Sequence, residues 1–132
     1  MFNLSIVTPE QIFYENDVES LVAPGIEGYL GVLTNHAPLI TAISPGKVLV
    51  KDNSQKEIIL SVSEGFLEVS ANTATLLVDA VEYASDIDAD RAKEALERAK
   101  KRLKDEAGNI DTPRARKAVE RARNRLKIAS ED

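Results

Sequence analysis

Apolar and polar residues alternate along the first eighty or so positions of the chain, and then change period. Leu4 and Ile6 alternate with Asn3 and Ser5, and Thr8-Pro9 closes that first segment over Asn3–Val7. Further short strands are predicted at Gln11–Tyr14, Val18–Val22, Gly28–Leu33, Leu39–Ala42, Lys47–Val50, Glu57–Val62, Phe66–Ser70 and Thr73–Val78. Turn residues separate them: Pro24-Gly25, Pro45-Gly46, Asp52-Asn53-Ser54, Glu64-Gly65 and Ala71-Asn72. Short strands at this regular spacing predict a β-sandwich or barrel of about eight to ten strands. Within Gly28–Leu33, Gly28 and Gly31 leave gaps in the side-chain row, which predicts a bulge or a close backbone approach. Asn35 suits a tight turn, and Pro38 pins the chain as it leaves.

Beyond residue 84 the period becomes helical, and the segment is an internal repeat. Residues 87–104, IDADRAKEALERAKKRLK, lie on residues 110–127, IDTPRARKAVERARNRLK, at an offset of 23, with eleven of eighteen positions identical. Each copy predicts a helix of about 17 residues. Asp88 sits where a first helix takes its N-cap. Asp111 or Thr112 caps the second, with Pro113 in its first turn, and Gly108-Asn109 stops the first. So short a connection makes the two an antiparallel hairpin. The expected architecture is a sandwich over 1–84 followed by a helical hairpin over 85–132.

On a helical wheel, Ala92, Ala95, Leu96, Ala99 and Leu103 form one apolar stripe, and Ala115, Ala118, Val119, Ala122 and Leu126 form its copy. Arg91, Arg98 and Arg102 make a second stripe about 90° away, repeated as Arg114, Arg121 and Arg125. Two equivalent helices packed antiparallel are related by a two-fold axis, which keeps both arginine stripes on one face. Arg91 is then expected opposite Arg125, and Arg98 opposite Arg121. Facing guanidinium groups repel unless an anion lies between them, and the unpaired N–H groups of the first helix open nearby. That face is a candidate polyanion site; pairing of the arginines with Glu94, Glu97 or Glu120 along a solvated surface is the plainer reading.

Charge divides the chain at the same place. Residues 1–83 carry three basic and eleven acidic residues, whereas residues 84–132 carry fourteen basic and eleven acidic. All six aromatic residues lie in the first part. A basic tail raises the question of nucleic acid, but no aromatic residue interleaves with the arginines and the first part is strongly acidic, so no nucleic-acid partner is expected. The chain has no cysteine and a single histidine, which excludes disulfides and thiolate metal sites. No apolar run approaches the ~18 residues that span a bilayer. The first residues read as a strand and not as a signal peptide, which predicts a soluble protein of a reducing compartment. His36 has no second catalytic group at a recognisable spacing, Ser61 and Ser63 read as strand residues, and no Gly-Lys-Ser/Thr phosphate loop occurs. The chain is expected to be no enzyme.

The run Gly28-Tyr-Leu-Gly-Val-Leu-Thr-Asn-His-Ala-Pro-Leu39, followed by the charged Ala/Arg/Lys tail, resembles the epsilon subunit of bacterial and plastid F-type ATP synthases, homologous to the mitochondrial delta subunit. The likeness spans essentially the whole chain. It implies a non-catalytic rotor subunit that couples the gamma subunit to the c-ring. Its compact hairpin permits rotation, while an extended tail meets the alpha and beta catalytic subunits and blocks ATP hydrolysis. It also implies a peripheral place on the cytoplasmic face of a bacterial plasma membrane, or on the stromal face of the thylakoid in a plastid. In bacillus-like members an Ile/Leu-Asp-x-x-Arg-Ala motif binds ATP as a regulatory ligand, with no metal required by the sequence. Ile87, Asp88, Arg91 and Ala92 match that motif, and Glu82, Arg98, Arg121 and Arg125 match the other nucleotide positions in type. By the same resemblance Asp88 and Glu82 hold the adenine/ribose end and the arginines take the phosphates. The 25–36 loop is placed against the c-ring, with Glu27, Tyr29 and His36 as interface residues; many relatives carry Glu at the position of Tyr29. The alternative is a stand-alone ATP-sensing adaptor or a basic-helix nucleic-acid-binding protein.

Overall fold

The computed structural model describes residues 1–104 and 112–131, and side chains for 1–102 and 116–129. Nine strands come first: β1 (Phe2–Val7), β2 (Ile12–Gly25), β3 (Gly28–Val32), β4 (Leu39–Ile43), β5 (Gly46–Asp52), β6 (Glu57–Val62), β7 (Gly65–Ser70), β8 (Thr73–Val78) and β9 (Val81–Tyr83). A 3₁₀ turn (Ala84–Asp86) leads into helices α1 (Ala89–Lys104) and α2 (Thr112–Glu131). The chain divides into two compact units, Met1–Tyr83 and Ala84–Asp132.

The first unit is the expected β-sandwich. Strands follow the order β1-β8-β7-β4-β2-β5-β6-β9, with β3 on β2, and β1 also pairs β2, so the ladder closes on itself. Alternation builds the core: Leu4 and Ile6 of β1, Leu67 of β7 and Leu76 of β8 are fully buried with Leu21, Val48, Val50 and Leu60. Gly65 is required where β7 meets β8, because a Cβ there would strike the carbonyl oxygen of Leu77.

Two features differ from expectation. The segments predicted at Gln11–Tyr14 and Val18–Val22 are one strand, β2, of 14 residues. The intervening Glu15-Asn16-Asp17 reads as a break, yet its polar side chains bond across the ladder to β1. Ser5 Oγ donates to Glu15 Oε2 at 2.9 Å, and Asn3 Nδ2 donates to Asp17 Oδ1 at 3.4 Å, each from the residue directly opposite. The chain also forms a strand, β9, where none was expected. Ser63 starts it: its hydroxyl accepts from Ala80 N–H at 2.8 Å, and Ser63 N–H donates to Ala80 O at 3.0 Å. Val81–Tyr83 then pairs with Leu60–Val62, and the Tyr83 ring packs on Phe13 with centroids 5.0 Å apart.

The glycines of β3 behave differently from each other. Gly28 has φ 132°, a conformation that favours glycine, and it closes a tight hairpin opposite Gly25. Gly31 meets no close approach, since a Cβ there would come no nearer than 4.0 Å to Leu21 O. Bulges occur between Ile6 and Val7 and between Val18 and Ser20, and not in β3.

The second unit is the expected helix pair. Leu96, Ala99, Val119 and Ala122 form its buried cluster, with Ala118 and Leu126 packed against it. These are the two predicted apolar stripes. α2 touches the 3₁₀ turn that precedes α1, which fixes the pair as antiparallel. α2 runs 20 residues, beyond the end of the repeat, and carries a buried Ile128 in its last turns. The stop at Gly108-Asn109 and the cap at Asp111 lie outside the described residues, as do the side chains of Leu103, Arg114 and Ala115.

Tyr14 of β2 buries its hydroxyl without a hydrogen-bond partner. Burial pushes the phenol above its ordinary pKa; nearby Asn16 opposes this, and the Asp52 carboxylate reinforces it. An unpaired buried hydroxyl costs about 1–3 kcal/mol. Replacing Tyr14 with Phe is therefore expected to raise the unfolding free energy by about 1 kcal/mol, read as a higher denaturant midpoint at unchanged m-value.

Candidate functional site

In the hairpin, Asp88 sets the geometry. Its Oδ1 accepts from the N–H groups of Asp90 and Arg91, both at 3.1 Å, and Ala92 N–H donates to Asp88 O at 2.9 Å. This is the N-cap arrangement that the sequence predicts. It also corrects the expectation of unpaired N–H groups at this end. Two of them are satisfied by Asp88, which brings its own negative charge to the dipole. The Asp88 carboxylate keeps a second oxygen outside the cap.

Ile87 is half-buried and donates its N–H to Ala84 O at 3.2 Å. Ala92 is completely buried, so it contributes a small side chain to helix packing and offers no atom to solvent. Arg91, Arg98 and Arg102 are exposed on α1, while Arg121 and Arg125 are half-buried on α2. The apolar stripes are packed on each other, and a shared side for Arg91, Arg98, Arg121 and Arg125 is what the helical wheel expects of that packing. Glu82 stands on β9 opposite Ser61, in the sandwich unit.

In the sandwich, the 25–36 stretch is a hairpin and a separate turn. Glu27 is at the exposed hairpin tip, beside Ile26, which is 67% exposed. Ile26 N–H donates to Ala42 O at 3.0 Å and ties the tip to β4. Tyr29 exposes 61% of its surface, and its hydroxyl accepts from Lys47 N–H at 3.3 Å. Gly46 makes room for this, because a Cβ there would run into Pro24 at 2.6 Å and approach the Tyr29 hydroxyl at 3.2 Å. His36 is at the other end of β3, in a turn closed by its own N–H to Leu33 O at 3.2 Å. Its Nδ1 lies 2.7 Å from Ala37 O. The strand between is five residues, roughly 17 Å, so the fold brings Glu27 and Tyr29 together but separates them from His36.

An apolar row on the outside of the sandwich was not foreseen. Ala42 pairs with Phe66, Phe66 with Leu77, Leu77 with Val7, and Val7 with Ile12. Paired residues share a face, so these five side chains cross five strands on the surface. Phe66, Leu77 and Ile12 are 57%, 44% and 61% exposed. The signal lay in the strands themselves: Phe66 and Leu77 interrupt the alternation of β7 and β8 at outward positions.

Two family models match the chain: the beta-sandwich domain of the ATP synthase delta/epsilon chain over residues 1–84, and its long alpha-helix domain over residues 85–130. The chain belongs to the ATP synthase delta/epsilon-chain family.

Among relatives, the ATP synthase epsilon chain of Desulfosudis oleivorans is 46% identical over 100 residues, covering 76% of this chain and 75% of that one. The epsilon chain of Pelotomaculum thermopropionicum is 47% identical over 100 residues, covering 76% and 74%. A chain in the structure of the Euglena gracilis mitochondrial ATP synthase OSCP/F1/c-ring assembly superposes with a TM-score of 0.82 at 19% identity, covering 98% of this chain and 80% of that one. A chain of the Tetrahymena thermophila mitochondrial ATP synthase central stalk/c-ring shares the fold at a TM-score of 0.64 and 16% identity. An epsilon chain is a non-catalytic subunit, so the family gives this chain a general coupling and regulatory role in the synthase. Among the described residues no helix is long and apolar enough to cross a membrane.

The cap can be tested alone. Asp88→Ala is expected to cost about 1 kcal/mol and to lower helical content by circular dichroism, while Asp88→Asn, which keeps an acceptor, is expected to cost only a few tenths.

Proposed function

We propose that this chain is the epsilon subunit of a bacterial F-type ATP synthase, held peripherally at the cytoplasmic face of the plasma membrane by its complex. Its sandwich joins the gamma subunit to the c-ring. The outer row from Ala42 through Phe66 and Leu77 to Ile12 is the face for gamma, because an apolar row this long has no other cover within the sandwich. Glu27 and Tyr29, at the hairpin tip that adjoins this row, meet the c-ring, and His36 contributes from its own turn.

The hairpin is the regulatory part, and the smallness of its core carries this reading. Among the described residues, the buried cluster between α1 and α2 is Leu96, Ala99, Val119 and Ala122, with Ala92 and Ile128 buried outside it. Each buried methyl or methylene contributes only ~0.8 kcal/mol, and helices of this length are marginal alone. The compact form is then only slightly favoured over an extended tail that reaches the alpha and beta subunits and blocks hydrolysis. A ligand at 100 times its dissociation constant adds ~2.7 kcal/mol to the form that binds it, enough to set the balance.

ATP fits the residues present. Arg91, Arg98, Arg121 and Arg125 offer guanidinium forks to its phosphates. The Asp88 oxygen outside the cap takes the adenosine end. The chain binds the nucleotide without hydrolysing it.

Calorimetry with ATP tests the latch. Wild type is expected to release binding heat, Arg91→Ala and Arg121→Ala to weaken affinity about tenfold or more, and Arg116→Ala to change little. Equal losses at Arg116 and Arg121 would overturn the shared-face geometry, and no heat from wild type would remove the nucleotide while leaving the rotor role. For the gamma face, Phe66→Glu is expected to abolish co-purification with gamma while stability stays within about 0.5 kcal/mol of wild type, as an exposed position requires.

A further inference from the structure

Asn72 sits in the two-residue turn between β7 and β8, flanked by the Ser70–Thr73 pair. Ala71 and Asn72 both have positive φ, 50° and 57°, the pattern of a type I′ hairpin turn. Asparagine suits that backbone, but so would glycine, and the turn itself does not need the side-chain amide.

The amide is nevertheless used at both ends. Its Oδ1 accepts from Asn35 N–H at 2.8 Å, across 37 residues, and its Nδ2 donates to Met1 O at 2.9 Å, across 71 residues. Three segments meet at this one side chain: the β7–β8 turn, the residue that leads into β1, and the turn that carries His36. Asn35 is itself left-handed, with φ 62°. Within its turn the backbone closes a single bond, His36 N–H to Leu33 O. Leu33, beside it, is 64% exposed. A turn whose Leu33, Thr34 and Asn35 are exposed and whose His36 is only half-buried has little burial to hold its shape, so its anchors decide its conformation. Thr34 supplies a second anchor, its hydroxyl accepting from the Met1 amino group at 2.9 Å.

We propose that Asn72 is a positioning residue: through Asn35 it holds the Leu33–His36 turn in the shape that docks on the c-ring. This deepens the reading above that His36 belongs to the rotor contact, and it rests on that reading.

The experiment pairs Asn72→Gly with Asn72→Asp in the full chain. Glycine keeps the turn backbone and removes both amide bonds. Aspartate keeps the acceptor for Asn35 N–H. Hydrogen exchange at the Asn35 amide in the isolated protein reads the clamp, and affinity for a gamma/c-ring subcomplex reads docking. Glycine is expected to speed Asn35 exchange about fivefold and to weaken docking, with aspartate restoring both. Unchanged exchange in the glycine variant would overturn the clamp. Faster exchange with undiminished docking would overturn the docking role, and would show that the rotor contact lies away from His36. Loss of docking in both variants alike would assign the effect to the Met1 bond and overturn the route through Asn35.

Discussion

The sandwich depends on one strand that pairs with four others. β2 is bonded to β1 along its first half, to β5 and β3 from both sides around Leu21, and to β4 at Gly25. Its polar middle stays in the ladder because Ser5 and Asn3 stand opposite Glu15 and Asp17 and bond to them. Without that continuity the two layers would share only the pairing of neighbouring short strands. With it, Leu21 lies at zero exposure among strands from both. The strand also ends at Gly25, so the Ile26-Glu27 tip is placed against β4 by the same element that closes the core.

The two units are held together by very different amounts of apolar surface. The sandwich buries a continuous cluster of Leu, Ile, Val, Phe and Ala from eight strands, with Val81 and Tyr83 of β9 packed against it, whereas the described cluster between the helices holds two alanines, a leucine and a valine with two half-buried partners. Stability scales with burial, so a few kcal/mol of ligand binding is a minor term for the sandwich and a decisive one for the hairpin. Under the proposed reading, the rotor role uses the first property and the regulatory hairpin uses the second. The Asp88 cap bonds are local to the first turn of α1 and involve no residue of α2.

The surface of the sandwich is organised by its two ends. Tyr29, Glu27 and Ile26 gather where β2 turns into β3, close to the outer apolar row through Ala42. Leu33, Asn35 and His36 gather at the opposite end, beside Asn72 and Met1. A stretch that is contiguous in sequence therefore lies at two separate ends of the sandwich, because an extended strand of five residues lies between them.

Period alone determined much of this protein. The 3.6-residue spacing of Leu96, Ala99, Val119 and Ala122 named the helix interface, and the repeat made the two helices equivalent. Asp88 was legible as a cap because its bonds run only to residues two and three places on. Alternation named Leu4, Ile6 and most of the strands. What tertiary structure decided involves partners far apart in the chain. Glu15-Asn16-Asp17 looks like a turn until β1 lies beside it. β9 exists because Ser63 holds Ala80. The outer row appears only when register sets Phe66, Leu77, Val7 and Ile12 side by side, and Asn72 acquires its two bonds only when residues 1, 35 and 72 converge. Local hydrogen bonds and periodic burial are written in neighbouring residues, whereas register and long-range satisfaction of polar groups arise only once the chain has closed on itself.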